Sequence, residues 1–290
     1  MTTRRATVAA FGAILLWALL AWFTTLSGDV PPLQLLAMCF ALGGGAGAAL
    51  TLWRGGVAAW RQPIRVWIVG VGGLFGYHLL YVLALRSADP VAASLIAYLW
   101  PLLIVLGATR VSGQALRWHH LVGAAAGAIG AALVVTGGRG VQVETSQIAG
   151  YALALAAACV WASYSLLSRR MAEVPTDAVS GFCLGTAMLS GLAHLALEVP
   201  VMPSATEWLA ILGLGFGPVG LAFFLWDLGM KRGDMAVLGA ASYAAPLLST
   251  LILVAVGRAE ASWTLALACI LITGGAALAA RDMLGARPAA

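Results

Sequence analysis

Residues 98–103 read YLWPLL, and residues 243–248 read YAAPLL. Each places a proline inside an apolar stretch, three residues after a tyrosine, and the two lie 145 positions apart. Proline lacks an N–H and clashes with the helical turn behind it. Pro101 thus takes the intrahelical donor from the carbonyl of Ala97, and Pro246 does the same to Ser242. Inside a bilayer no water repairs this, so a released carbonyl has to face protein or a wet cavity. Two breaks at one spacing therefore raise two expectations, a repeat and a cavity.

The surroundings of these breaks decide the class. The chain has 290 residues, of which 62% are hydrophobic and 9% charged, with a mean hydropathy of +0.96. Soluble domains carry about 25% charged residues. Charges are absent from ten windows: 6–28, 30–53, 66–85, 90–109, 118–138, 145–168, 178–197, 208–226, 235–257 and 261–280. Each window has 19 to 24 residues, and a helix needs roughly 20 to cross the hydrocarbon core. Continuous apolar runs exclude the alternation of barrel strands. The expectation is an all-α integral membrane protein with ten transmembrane helices. The first window is too long for a signal-peptide core and no small-residue cleavage site follows it, so it is read as the first helix.

Of the 16 Lys and Arg residues, 13 fall on one side if the segments alternate from a cytoplasmic N-terminus. Arg86, Arg139 and Arg258 are the three exceptions. The positive-inside rule then places both termini in the cytoplasm and the chain in the cell's inner (plasma) membrane. The same bias accounts for the net charge of +5 without a nucleic-acid partner. Cys39, Cys159, Cys183 and Cys269 stand singly within spans, as packing residues with no metal spacing.

A shift of 145 superimposes Gly70 on Gly215, Gly72 on Gly217, Arg86 on Lys231 and Asp89 on Asp234. It also superimposes Tyr98 on Tyr243, Pro101 on Pro246 and Trp118 on Trp263, and a shift of 144 brings Trp17 onto Trp161. The expected organisation is two five-helix halves, 6–138 and 145–281. Five is odd, so the second half enters the membrane from the opposite side. Inverted repeats of this kind place a substrate site near the midplane, between the halves.

With these residues in place, the chain resembles the drug/metabolite transporter superfamily in its ten-helix EamA-type form. The resemblance covers nearly the whole chain. It rests on the two inverted halves, on RSADPVAASLIAYLWPLL (86–103) and KRGDMAVLGAASYAAPLL (231–248), and on small-residue-rich fifth and tenth helices. Within that family it is similar to the YddG-type aromatic amino-acid exporters. Members usually carry a Glu after the fourth and ninth helices. Here the second half has Glu260, but the first half reads SGQAL at 112–116.

Candidate site residues follow from depth. His78 is the main ionisable residue far inside a window, where such groups are functional by default. A neutral imidazole there could donate to a substrate carboxylate or carry a proton; the alternative is a core histidine bonded between helices. Trp53, Trp60, Trp67, Trp118, Trp208 and Trp263 lie near span ends and read as an interfacial belt. Trp17, Trp100 and Trp161 lie at mid-span, where an indole N–H needs a protein or water partner. Tyr81, Tyr98, Tyr164, Phe224 and Tyr243 lie at matching depth. These residues predict an aromatic, uncharged cavity lined by helices 1, 3, 4, 6, 8 and 9. Carbonyls released by Pro101, Pro246 and Pro218, with the hydroxyls of Tyr98, Tyr243 or Ser242, are candidate acceptors for a substrate ammonium. The prolines could equally serve as kinks or hinges alone. Gly-xxx-Gly spacings at Gly43/Gly47, Gly123/Gly127, Gly181/Gly185 and Gly213/Gly217 read as close helix packing within a monomer.

The expected function is export of amino acids from the cytoplasm through this cavity by alternating access, without a cofactor, metal or ATPase partner. The resemblance supplies the direction. A proton-coupled exporter of cationic drugs or metabolites is the alternative, with His78 as proton carrier, because no window contains Asp or Glu. A carrier of phosphorylated metabolites would want buried Lys or Arg. An enzyme would want paired carboxylates, a metal set or an activated nucleophile. Neither pattern occurs in the sequence.

Overall fold

A computed structural model describes residues 1–112, 116–139, 145–257 and 261–279. The described residues form helices and no strands. The first segment comprises α1 (Thr3–Ala18) and α2 (Leu20–Leu26), followed by α3 (Pro32–Trp53) and α4 (Ile64–Ser87). Next come α5 (Pro90–Ala97), α6 (Trp100–Ser112), α7 (Trp118–Thr136), α8 (Ile148–Arg170) and α9 (Ala178–Leu197). Helices α10 (Ala205–Phe216) and α11 (Ala222–Arg232) are joined by a wide helical turn at Gly217–Leu221. The chain continues through α12 (Met235–Ala241), α13 (Ala244–Ala255) and α14 (Trp263–Ala279). Among the described residues, eight helical segments are long and apolar enough to cross a bilayer, and Ala92–Ala108 and Trp263–Ala279 are shorter apolar helices. Glu260 and residues 113–115, which bear on the acidic position of the family pattern, lie outside the described residues. So do Arg258, Arg281 and Arg287.

The two proline segments fold alike. Asp89 caps α5 by accepting the Ala92 N–H at 2.9 Å, and Pro90 opens that helix. Asp234 caps α12 by accepting the Ala236 and Val237 N–H groups at 3.1 Å each. A short polar side chain at this position satisfies donors that have no intrahelical partner. Each short helix then stops, at Tyr98 and at Ser242, and a second one starts, at Trp100 and at Ala244. Both stops fall four residues or fewer before the proline, where its missing N–H and its ring disturb the preceding turn.

Packing partners interchange across the molecule. α3 packs on α9 and α7 on α14, while α1 packs on α11 as α8 packs on α4. Small residues allow these approaches. A Cβ on Gly123 would come within 2.5 Å of the Gly275 carbonyl oxygen, and one on Gly275 within 2.6 Å of the Gly123 carbonyl oxygen. Gly43 meets Gly215 and Gly220 in the same way. These glycines are spent on contacts within the chain.

Two ends of the bundle differ. Near the start of α1, the Thr7 hydroxyl accepts the Asp234 N–H at 2.9 Å. Thr24, 17 residues further along this segment, lies about 25 Å away at helical rise. It shares a chamber wall with Leu85, four residues before Asp89. Of the expected belt, Trp53, Trp118, Trp208 and Trp263 are 83%, 59%, 40% and 91% exposed. Trp60 and Trp67 depart from it. The Trp60 indole donates to Ser180 Oγ at 2.9 Å, and Trp67 packs edge-on against Phe182 at 5.6 Å. Both are held by α9, whose Gly181 leaves room for them.

Candidate functional site

A chamber of about 420 Å³ lies between the helices, within the usual size of small-molecule sites. Its wall takes residues from six segments: Trp17 to Thr24, Tyr77 to Leu85, Ala97 to Trp100, Trp161, Pro218 to Phe223, and Ala245 and Ser249. These are the first, third, fourth, sixth, eighth and ninth windows of the sequence. Among the described residues, the wall contains no Asp, Glu, Lys or Arg.

Six of the ten expected substrate residues line the chamber: Trp17, His78, Tyr81, Tyr98, Trp100 and Trp161. Pro218 lines it as well. The other four do not. Tyr164 is 2% exposed, behind Trp161 and against Gly73. Phe224 turns away from the chamber onto Gly47. Ser242 returns its hydroxyl to the Leu238 carbonyl at 2.7 Å, and Tyr243 is 1% exposed against Gly127. The Ser242 carbonyl is not available either, because it accepts the Ala245 N–H at 3.1 Å in a tightened turn. The break at Pro246 is thus repaired locally.

Tyr77 and Phe223 line the chamber and were missed. The repeat itself carries the signal for Phe223. A shift of 145 places it, rather than Phe224, on His78, and places Trp226 on Tyr81. Trp226 escaped notice because Asp227 follows it and marks a window end. Yet it is fully buried, with its indole donating to Ser165 Oγ at 3.1 Å.

The floor is a cluster of four indoles from four helices, of which Trp17, Trp100 and Trp161 line the chamber and Trp226 lies behind them. Trp17 lies 6.3 Å from Trp100, 5.8 Å from Trp161 and 5.0 Å from Trp226 between ring centroids. Trp100 and Trp161 are 6.1 Å apart, and Trp226 lies 5.7 Å from Trp100 and 6.3 Å from Trp161. Five of the six pairs are tilted or edge-on and Trp161–Trp226 is stacked, and offset-stacked or edge-on aromatic pairs contribute about 0.5–1.5 kcal/mol each beyond area burial. Trp100 and Trp161 are 6% and 3% exposed, whereas Thr24 at the rim is exposed. The buried indoles thus lie toward the Thr7 end of the wall, and exposed Thr24 lies toward the other end.

The polar groups near the wall have defined partners. The Trp17 indole donates to the Pro218 carbonyl at 3.1 Å. That carbonyl is turned out of α register, since the Ala222 N–H reaches back five residues to Gly217. Tyr81 Oη and Ser94 Oγ share a hydrogen bond of 2.9 Å. His78 Nδ1 lies 2.7 Å from the Leu74 carbonyl oxygen. A carbonyl can only accept, so the proton is on Nδ1 and a neutral ring carries its lone pair on Nε2. A neutral ring so held offers an acceptor, not a donor, at Nε2. Among the described residues, the buried Trp161 Nε1–H has no hydrogen-bond partner.

Beneath the floor, Asp227 pairs with Lys231 at 2.8 Å and accepts from Thr176 at 2.8 Å. Lys231 also donates to the Val174 carbonyl at 2.9 Å. Arg169 donates to the Lys231 and Gly233 carbonyls at 2.8 and 3.1 Å, which holds the end of α11. At the rim side, Glu198 accepts from Arg86 at 2.6 Å, His194 Nδ1 at 2.9 Å, and the Leu33 and Gln34 N–H groups at 3.1 Å. Burial opposes its charge, yet these hydrogen bonds and the Arg86 guanidinium together hold the carboxyl below its ordinary range. Among the described residues, no group of three or more His, Cys, Asp or Glu could hold a metal.

The EamA-like transporter family model matches residues 4–136 and again residues 148–281. The chain belongs to the EamA-like transporter family. Its relatives include the aromatic amino acid exporter YddG of Ancylobacter novellus, 51% identical over 96% of this chain and 98% of that protein. The aromatic amino acid exporter YddG of Escherichia coli K12 is 24% identical over 96% and 97%. A solved crystal structure with 50% identity superimposes with a TM-score of 0.93 over 97% of this chain and 99% of that one. The family comprises multi-pass membrane transporters of the drug/metabolite superfamily, and this member is a transporter rather than an enzyme.

Proposed function

We propose that the chain exports amino acids, aromatic and other neutral ones, from the cytoplasm across the inner membrane. The observation that carries this reading is the chamber wall, built of rings and neutral polar atoms with no charged side chain. Such a wall accommodates a variable apolar side chain and a zwitterion whose charges cancel. The names of the relatives at 51% and 24% identity point the same way.

The mechanism is alternating access between two five-helix halves, 6–138 and 145–281, ten spans in all, inserted in opposite directions with both termini inside. The interchange of packing partners supports this. So do the positions of Asp89 and Asp234 toward opposite ends of the first segment. With that orientation the chamber described above faces outward, and the indole floor with the Asp227–Lys231 pair closes the cytoplasmic side. Rocking of the halves opens the other side. Transport is a uniport by a monomer, driven by the substrate gradient. Proton exchange at a central carboxylate is disfavoured, because the nearest one, Asp227, lies below the floor and is neutralised by Lys231.

Counterflow in proteoliposomes tests the reading. Labelled phenylalanine accumulates without a pH or sodium gradient, and Trp100→Ala, Trp161→Ala and His78→Ala each lower that flux while the protein still folds. Competition by organic cations alone, or an absolute need for a proton gradient, moves the assignment to the cation exporter. Wild-type flux in all three variants removes the chamber from the pathway.

A further inference from the structure

The repeat pairs each contact at one end of the molecule with a counterpart at the other. α1 packs on α11 as α8 packs on α4, and α1 packs on α13 as α8 packs on α6. The pairing of α8 with α11 has no such counterpart, for neither α1 nor α2 packs comparably on α4. Shifts of 144 and 145 bring Ala21 onto Ser165 and Tyr81 onto Trp226. The Trp226 indole donates to Ser165 Oγ at 3.1 Å, whereas Ala21 and Tyr81 both line the chamber. A seam that is joined between α8 and α11 is therefore parted by the chamber between the first segment and α4.

Arg169 crosses the joined seam from α8. It donates to the Lys231 and Gly233 carbonyls at 2.8 and 3.1 Å. Lys231 is in the last turn of α11 and Gly233 just beyond it, where carbonyls lack an intrahelical donor. The Asp227–Lys231 pair does not cross the seam, because both residues belong to α11. Those two hold the α8–α9 connection instead, through Thr176 and the Val174 carbonyl. The shift of 144 makes Thr25 the counterpart of Arg169. Thr25 is exposed and donates to the Trp22 carbonyl within its own segment, at 2.7 Å.

We infer that Arg169 is the latch of the transport cycle on the Thr7 side, and that α8 parts from α11 when Arg169 releases the two carbonyls. This rests on the alternating-access reading above and deepens it. In an inverted repeat the second state exchanges the arrangements of the two halves. A contact present in both halves then persists, and a contact present in only one is made and broken. The latch is built for release. Its acceptors are neutral and Arg169 is half-buried, so water replaces each partner. A buried carboxylate partner would resist parting, because its charge would be stranded. Arg169 is thus a positioning residue, not a substrate ligand.

The test is thiol labelling in lipid nanodiscs, where both membrane faces are accessible, with Cys39, Cys159, Cys183 and Cys269 replaced. Ser165→Cys reports on the seam and Ala21→Cys on the chamber, each compared within its own background. With Arg169 present, the chamber cysteine is expected to react faster with a membrane-impermeant reagent. Arg169→Met is expected to raise the seam rate about tenfold, as the loss of one hydrogen bond to a charged group implies, without raising the chamber rate. Arg169→Lys, a single ammonium, is expected to raise the seam rate by less, and it decides the matter if Arg169→Met does not fold. Arg170→Met, one residue along and exposed, is expected to change neither rate. A seam rate unmoved by the Arg169 variants overturns the inference. So does a rise at both cysteines, the mark of a merely loosened bundle, or the same shift from Arg170→Met. Labelling needs no substrate, so these outcomes stand apart from the export reading, which fails separately if the wild type gives no phenylalanine counterflow.

Discussion

Residues 90–112 and residues 235–255 are built from one plan, yet they meet different surroundings. In each, an aspartate caps a short helix, a tyrosine stands at the break, and a proline follows in the next helix. Tyr98 nevertheless lines the chamber, half-buried, with Trp100 beside it. Tyr243 is 1% exposed against Gly127 of α7, and the counterpart of Trp100 is Ala245. Local sequence sets the break, and the neighbouring helices decide whether the break faces water. The same contrast recurs at the flanking cations. Arg86 is 42% exposed by side chain on Glu198, whereas Lys231 is 3% exposed on Asp227. One flanking ion pair has a partly exposed cation and the other is buried throughout.

The largest effect is expected at the buried pair, Asp227 and Lys231. Lys231→Met leaves Asp227 buried without its cation, which costs about 3–5 kcal/mol and lowers the midpoint of thermal unfolding in detergent. Adding Asp227→Leu removes the stranded charge and restores most of the loss. Arg86→Met, at the open end, is expected to shift the midpoint far less. Equal losses at Arg86 and Lys231 would break the comparison outright.

Next comes access to the two breaks. A cysteine replacing Tyr98 is expected to react with a membrane-impermeant thiol reagent from the open side at least about tenfold faster than one replacing Tyr243. Rates are read from mass shift with time, on a background with Cys39, Cys159, Cys183 and Cys269 replaced. Substrate in excess protects the first position. Indistinguishable rates mean that the asymmetry is absent in the membrane.

The caps should differ less. Asp89→Ala and Asp234→Ala each cost about 1 kcal/mol, the usual value for a lost N-cap. Asp234 has the larger loss because it holds two N–H groups where Asp89 holds one. Paired thermal melts measure this.

The smallest effect is electrostatic. Glu198 has a folded-state carboxyl held below its ordinary value. Its contribution is therefore fully present above the ordinary carboxylate range and fades as pH falls through the lowered value. Glu198→Gln is expected to flatten that acid limb in a melt-against-pH series and to leave the limb above pH 6 nearly unchanged. No flattening would detach the latch from Glu198.

Much of this was legible in the sequence, because a bilayer enforces simple rules. Charge-free windows marked the apolar helices, eight of which are long enough to cross a bilayer among the described residues, and the matched Asp, Tyr and Pro residues gave both breaks. Depth alone brought Trp17, His78, Trp100 and Trp161 to one wall. Depth does not give azimuth, however, and the misses follow from that. Phe224 and Phe223 are at the same depth, but a helix turns by about 100° per residue, so only one can face the chamber. Tyr164 and Tyr243 failed for another reason. Their own positions match the pattern, but Gly73 and Gly127 on neighbouring helices leave pockets that absorb them. The tautomer of His78 also needed structure, since only the Leu74 carbonyl reveals which ring nitrogen bears the proton.

The floor of four mutually touching indoles has a spectroscopic consequence. Chromophores at these separations share excitation, so their mutual geometry contributes to the near-ultraviolet circular dichroism of the protein. Any motion that parts the helices carrying them must alter that signal. The transporter thus contains an unlabelled reporter of any such motion.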